Sequence, residues 1–384
     1  MSAVFARPSV WRRLRPVLLG FDLPLLLMVL ALAGLGMVTM YSVGYDHGTR
    51  FQDHGRNMVL AALLMFAVAQ IPPQRLMALA VPLYALAVAL LVATALFGVT
   101  KKGATRWLNL GVVIQPSEIL KLAMPLMLAW WFQRREGQLR LLDFVIAGLL
   151  LGVPVALVAK QPDLGTSLLV LSAGLYVIFF AGLSWRLIVP VMLLAGLAIT
   201  TIILSGDALC QPEVAWHGLR DYQKQRVCTL LDPTTDPLGK GFHIIQGMIA
   251  IGSGGLTGKG FMSGTQTHLE FIPERTTDFI FAAFSEEFGL VAVVGLIGGF
   301  MFLILRGLWI AGQAPTVFSR LLAGALSLGF FTYAFVNMGM VSGILPVVGI
   351  PLPFISYGGT AMVTLGVSLG MLMSIARSRG LMQR

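Results

Sequence analysis

Long apolar runs, separated by short polar or proline- and glycine-rich breaks, set the rhythm of this chain. Stretches of roughly 18 or more nearly charge-free residues recur, each long enough to cross a bilayer as a helix. The pattern predicts ten spans, at 21–42, 56–71, 75–98, 115–132, 141–159, 162–182, 186–205, 278–306, 317–342 and 354–376. The expected fold is an all-α polytopic membrane protein. One interval breaks the rhythm, residues 206–277, by far the longest extramembrane segment. Its first half is turn-rich (LLDPTTDPLGKG), whereas Phe242–Ile251 is apolar enough for an interfacial or re-entrant segment. No internal repeat divides the chain, so 1–384 reads as a single transmembrane domain with this one large outer loop.

Composition agrees with the pattern. The chain is 57% hydrophobic and 11% charged, whereas soluble domains carry about 25% charged residues. The net charge of +10 is spread as single basic residues between spans, which excludes a nucleic-acid surface and marks topology determinants instead. Arg75, Arg134, Arg135, Arg140, Arg186, Arg306 and Arg320 fall on the side of the N-terminus, and Arg377, Arg379 and Arg384 in the tail. Both termini are therefore expected to be cytoplasmic. The arginines before the first span are followed by no small-residue cleavage site, which predicts an uncleaved first helix. The cluster Lys101, Lys102 and Arg106 lies on the outer side against this trend, either as solvated charge or as a cationic rim for a phosphate. Cys210 and Cys228 fit neither a disulfide scaffold nor a metal site. Both lie in the outer loop, and an oxidising compartment there predicts a disulfide between them.

The stretch Leu269–Gly289 (LEFIPERTTDFIFAAFSEEFG) organises the candidate chemistry. It places Glu270, Glu274, Arg275 and Asp278 where a polar loop gives way to an apolar helix. Following two threonines, Asp278 is expected in the first helical turn, where dipole and unpaired amides favour a carboxylate. An acid there is a capping residue or a catalytic one. Glu286 and Glu287 follow deeper in the span. Two further outer helix starts carry ionisable groups: Gln115-Pro116-Ser117-Glu118 with Lys121, and Gln161-Pro162-Asp163. Glu118 and Lys121 share one helix face and are read either as a mutually neutralising pair or as cavity groups. The glycine-dense IGSGGLTGKGF lacks the ending of a phosphate-cradling loop, so close-packed backbone is the expectation there. The break SGILPVVGIPLPFISYGGT opens the last span on Ser356-Tyr357-Gly358-Gly359, with amides suited to an anion. Together these elements describe a polar cavity at the outer leaflet for an amphiphile with an anionic head.

These residues also carry a family resemblance. NMGMVSGILPVVGIPLPFISYGGTA (337–361), KQPDLGTSLL, QPSEILKL, GKGFHIIQGMIAIGSGGLTGKG and LEFIPERTTDFIFA resemble the shape, elongation, division and sporulation (SEDS) proteins, the RodA/FtsW/SpoVE group. The MVSGILPVVGIPLP wording and short N-terminus are similar to the elongation branch, RodA. The resemblance implies a peptidoglycan glycosyltransferase of ten helices that polymerises lipid II on the periplasmic side, beside a class B penicillin-binding protein. It implies that Thr277-Asp278-Phe279 holds the essential aspartate, and that Glu118, Lys121 and Asp163 are cavity residues. A carboxylate at Asp278 would take, or help position the group that takes, the proton of the attacking sugar hydroxyl. The departing polyprenyl pyrophosphate needs cations or amides, for which Lys121, Arg56, Lys101, Lys102, Arg106, Arg275, Ser356, Gly358 and Gly359 are candidates. A divalent cation, Mg or Mn, shared with the pyrophosphate is the alternative. A lipid II flippase would need ionisable groups along a path to the inner side, and the inner halves of the spans are almost bare of them. A non-catalytic scaffold gives no reason for ionisable groups at several outer helix starts.

Overall fold

The computed structural model describes residues 21–382, apart from 47, 102, 103, 110, 112, 212, 215, 217–220, 236–238 and 273. Helices dominate, because a backbone in hydrocarbon must satisfy its own hydrogen bonds. The first three are α1 (Leu23–Val43), α2 (Arg50–Ala69) and α3 (Pro73–Phe97). A small antiparallel sheet follows, with β1 (Val99–Lys101), β2 (Ala104–Asn109) and β3 (Val113–Ile114) in the order β1-β2-β3. Next come α4 (Pro116–Gln133), α5 (Leu141–Lys160), α6 (Leu164–Phe180) and α7 (Trp185–Leu204). The long loop 206–277 contains α8 (Gly206–Leu209), α9 (Asp221–Leu231), α10 (Lys240–Gly254) and α11 (Thr265–His268). Three long helices close the chain: α12 (Ile280–Gly312), α13 (Val317–Val341) and α14 (Gly359–Met382).

Seven of these helices, α1, α3, α5, α7, α12, α13 and α14, are long and apolar enough to cross a membrane. The other three expected spans are also helical. However, α2 opens on Arg50, Asp53, His54 and Arg56, α4 carries Glu118 and Lys121, and α6 has only 17 residues. At the centre stand α13 and α14, with 72% of their apolar windows buried. At the other extreme, α7 has no buried residue. An ionic tie links α1 to α12. Asp22 caps α1 through the Leu25 N–H and accepts two bonds, 2.9 and 2.8 Å, from Arg306 of α12.

Two helix starts differ from expectation. α12 begins at Ile280 with Phe279 at the N-cap, so Asp278 precedes its first turn. The threonines are engaged elsewhere: Thr277 donates to Glu274 at 2.7 Å, and Thr276 accepts from Arg50. α14 begins at Gly359 rather than near 354, because Ser356 closes a separate turn by accepting from the Leu352 N–H at 2.8 Å.

The apolar segment of the outer loop forms α10, with Ile244 and Ala250 buried and Met248 and Ile249 exposed. The glycine-dense stretch after it is close-packed backbone, as read. A Cβ at Gly258 would lie 2.1 Å from the Glu287 carbonyl oxygen, and one at Gly289 would lie 2.2 Å from the Gly258 nitrogen. Gly289 takes φ +73° and breaks α12. The break is hydrogen-bonded across: the Lys259 and Gly260 N–H groups donate to Glu286 and Glu287, and those of Leu290 and Val291 donate to Gly255 and Leu256. Glu286 and Glu287 are consequently structural. Glu286, fully buried, accepts from Lys259 at 2.7 Å and from the Gln266 and Thr267 amides that start α11, and Glu287 accepts from Ser42 at 2.6 Å.

Candidate active site

Asp278 lies in the turn 274–279, held by the Thr277 and Phe279 N–H groups on the Glu274 carbonyl. From α13, the fully buried Asn337 donates to the carbonyls of both Asp278 (3.0 Å) and Ile350 (2.7 Å). One amide thus clamps the turn to the proline-broken loop between α13 and α14. Ser356 adds a second clamp by donating to the Thr277 carbonyl at 2.7 Å. Gly349 sits directly against the carboxylate, since a Cβ there would lie 3.3 Å from Asp278 Oδ2.

Asp163 caps α6 by accepting from the Thr166 N–H at 3.1 Å. Its other oxygen accepts from Gln115 at 3.0 Å and faces Arg106 of β2 at 3.6 Å. Arg106 also donates to the Pro162 carbonyl at 3.1 Å, so the sheet is fastened over the start of α6. Arg226 of α9 reaches in from the long loop 206–277. It donates to the Val347 carbonyl at 2.8 Å, and its charge senses Arg106, Asp163 and Asp278. Burial pulls the Arg226 guanidinium below its ordinary value, and Arg106 adds to this.

Glu118 and Lys121 pair at 2.7 Å within α4. Lys121 also donates to Tyr333 at 3.0 Å, and Thr364 donates to Glu118 at 3.0 Å. The pair therefore bridges α4, α13 and α14, and Lys121 lines a cavity with Leu169, Tyr333, Thr364 and Ser368.

The remaining candidates divide. Arg275 is buried against α1, donating to the Val43 carbonyl at 3.2 Å and pairing with Asp46. Arg56 is exposed and paired with Asp53 at 3.2 Å. Ser356 spends its hydroxyl on the two loop contacts above, and Gly359 packs beside Asn57. Gly358 lies in the same loop. Lys102 lies outside the described residues, and so does the Lys101 side chain. Arg226 and Asn337 were not singled out from sequence. Tyr222, Arg226 and Thr229 recur at helical spacing on one face of α9, a pattern visible in the sequence.

A polar site inside a bundle of long apolar helices defines an integral membrane protein. The FtsW/RodA/SpoVE family, described as cell cycle proteins, matches residues 22–380, and the chain belongs to it. It is 48% identical to the peptidoglycan glycosyltransferase MrdB of Escherichia coli K12, over 94% of this chain and 95% of that one. It is 33% identical to the peptidoglycan glycosyltransferase RodA of Treponema pallidum, over 92% of this chain and 97% of that one. A chain of a peptidoglycan synthase complex, solved for the coordination of polymerization and crosslinking, superposes with TM-score 0.76 at 34% identity, covering 94% and 98% of the two chains. Thermus thermophilus RodA superposes with TM-score 0.68 at 29% identity, covering 94% and 97%.

Proposed function

We propose that this chain is a peptidoglycan glycosyltransferase that polymerises lipid II into glycan strands at the outer face of the bacterial cytoplasmic membrane, for elongation and rod shape. The observation that carries the reading is its near-full-length likeness to relatives named for that activity. The positive-inside pattern supports ten spans, cytoplasmic termini and a periplasmic site. The chain acts as one transmembrane domain with its outer loop.

Asp278 is the catalytic carboxylate. Its turn is fixed from two sides by Asn337 and Ser356, so the carboxylate is held at one place as the acceptor sugar arrives. There it takes the hydroxyl proton, or orients the group that does, as the oxygen attacks the anomeric carbon of the lipid-linked chain. Charge develops on the departing pyrophosphate. Arg106 and Asp163 organise the neighbouring wall, and Lys121, with Glu118 holding it, supplies cationic charge from the cavity below. Fixed groups of this kind stabilise the transition state without reorganising. The donor set also fits a Mg or Mn ion shared with the pyrophosphate, since such ions take one or two carboxylates plus phosphate oxygens. Asp278, whose carboxylate stands beside Gly349, would hold it. Such an ion would supply charge neutralisation to the leaving group.

The synthase complex among the structural relatives supports a class B penicillin-binding protein as the crosslinking partner. The deciding experiment supplies the purified protein, in liposomes, with lipid II and measures glycan length on gels. Polymer is expected. Transfer of lipid II across the bilayer without any polymer would return the chain to the flippase reading.

A further inference from the structure

We propose that Arg226 binds the pyrophosphate of the substrate and that the Cys210–Cys228 disulfide positions it for this; the inference rests on the glycosyltransferase reading above. The helix that bears Arg226 has little to hold it. α9 has 11 residues and one buried residue, Thr229, and isolated helices shorter than about 12–15 residues are marginal in water. Several of its fastenings run backwards along the chain. Cys228 is bonded to Cys210, with their Cα atoms 5.6 Å apart. Lys224 donates to the carbonyls of Gln211 and Val214, the latter at 2.7 Å. All of these tie α9 to residues 210–214. Arg226 lies two positions before Cys228 and points the other way, onto Val347 of the loop that carries Gly349.

The chemistry at its tip is incomplete. A guanidinium has five N–H donors, and the structure places one group on Val347 and the charge beside the ring of Tyr222, 5.8 Å from its centroid. The buried Nε of Arg226 has no acceptor, nor has the buried Nε of Arg106. Buried donors in folded proteins are normally satisfied. Two arginines with unanswered N–H groups, beside Asp163 and the candidate base, ask for an anion with several acceptor oxygens. Planar guanidinium forks match phosphate oxygens in pairs. Of the groups in the reaction, the pyrophosphate has that form.

The test uses the full-length protein in liposomes with lipid II. Arg226→Gln should lower glycan synthesis by about tenfold or more, the size of a lost hydrogen bond to a charged group. KM should rise while the melting temperature holds, and Arg226→Lys should recover part of the rate. Reductant should slow the parent, and Cys210→Ser/Cys228→Ser should match the reduced parent and ignore reductant. Reductant should add little to Arg226→Gln, because the bond acts through that side chain. Arg226→Gln at the parental rate would overturn the binding role. A reductant effect as large in Arg226→Gln as in the parent would overturn the positioning role. A parent that makes no polymer, like its Asp278→Asn control, would instead sink the glycosyltransferase reading.

Discussion

Asp278 and Asn337 divide one task between a carboxylate and the amide that holds its backbone. The Asp278 main chain is fixed through its carbonyl, and the residue lies ahead of α12 rather than within its first turn. Asp278→Asn therefore forfeits at most a charge–dipole contribution at the start of α12 and should cost under about 1 kcal/mol of stability. Glycan synthesis should fall about 100-fold or more, with lipid II still bound; unfolding and lipid II pull-down measured beside polymerisation would separate the two, and retained polymer would remove Asp278 from the chemistry. Asn337→Leu should do the reverse. It strands two carbonyls, each costing about 1–3 kcal/mol when buried without a partner, so stability and activity should fall together in a thermal melt and a polymerisation assay. Glu118 and Lys121 follow a third pattern. Breaking a buried pair from one side costs about 3–5 kcal/mol, so Glu118→Gln/Lys121→Met should fold better than either single change. The double variant should still lose polymerisation if Lys121 serves the anionic head, and normal synthesis would leave the pair purely structural.

Among the elements, the helices were legible because the bilayer enforces them: a span long enough to cross must be apolar and helical, and Phe242–Ile251 betrayed α10 for the same reason. The helix starts at Asp278 and Ser356 were less legible. Local sequence offers Thr276 and Thr277 as caps, but Arg50 and Glu274, distant or competing partners, take those hydroxyls. Glu286 lies deep in an apolar span, and its partners include the amides of α11 some twenty residues away in the chain, which no local pattern reveals. Asp163 and Arg106 were both named from sequence, and the sheet that joins them was not. The glycines at the break in α12 lend themselves to direct test. Gly258→Val puts a branched side chain into the Glu287 backbone, at a position where φ is +78°. It should destabilise by more than about 4 kcal/mol, the range of severe overpacking with strain, visible as lost yield or a lowered melting temperature. Tolerance of valine there would mean that the backbone crossing is not needed.

Across the whole molecule, burial falls from α13 and α14 at the centre to α7, which buries nothing. Protein contacts leave the inclination of α7 to its solvent, and a span longer or shorter than the hydrocarbon is accommodated by tilting. Yet α7 runs into α8, Cys210 follows α8 directly, and Cys210 is bonded to the helix carrying Arg226. α7 is thus coupled, through one covalent bond, to the helix bearing the arginine assigned above to the pyrophosphate. Bilayer thickness should then act as an input to catalysis. Polymerisation in liposomes of phosphatidylcholine with progressively longer acyl chains should pass through an optimum, and Cys210→Ser/Cys228→Ser should flatten it; an equal dependence in both proteins would break the linkage. A wall-building enzyme so constructed would respond to the composition and tension of the membrane it works from, without any separate sensor.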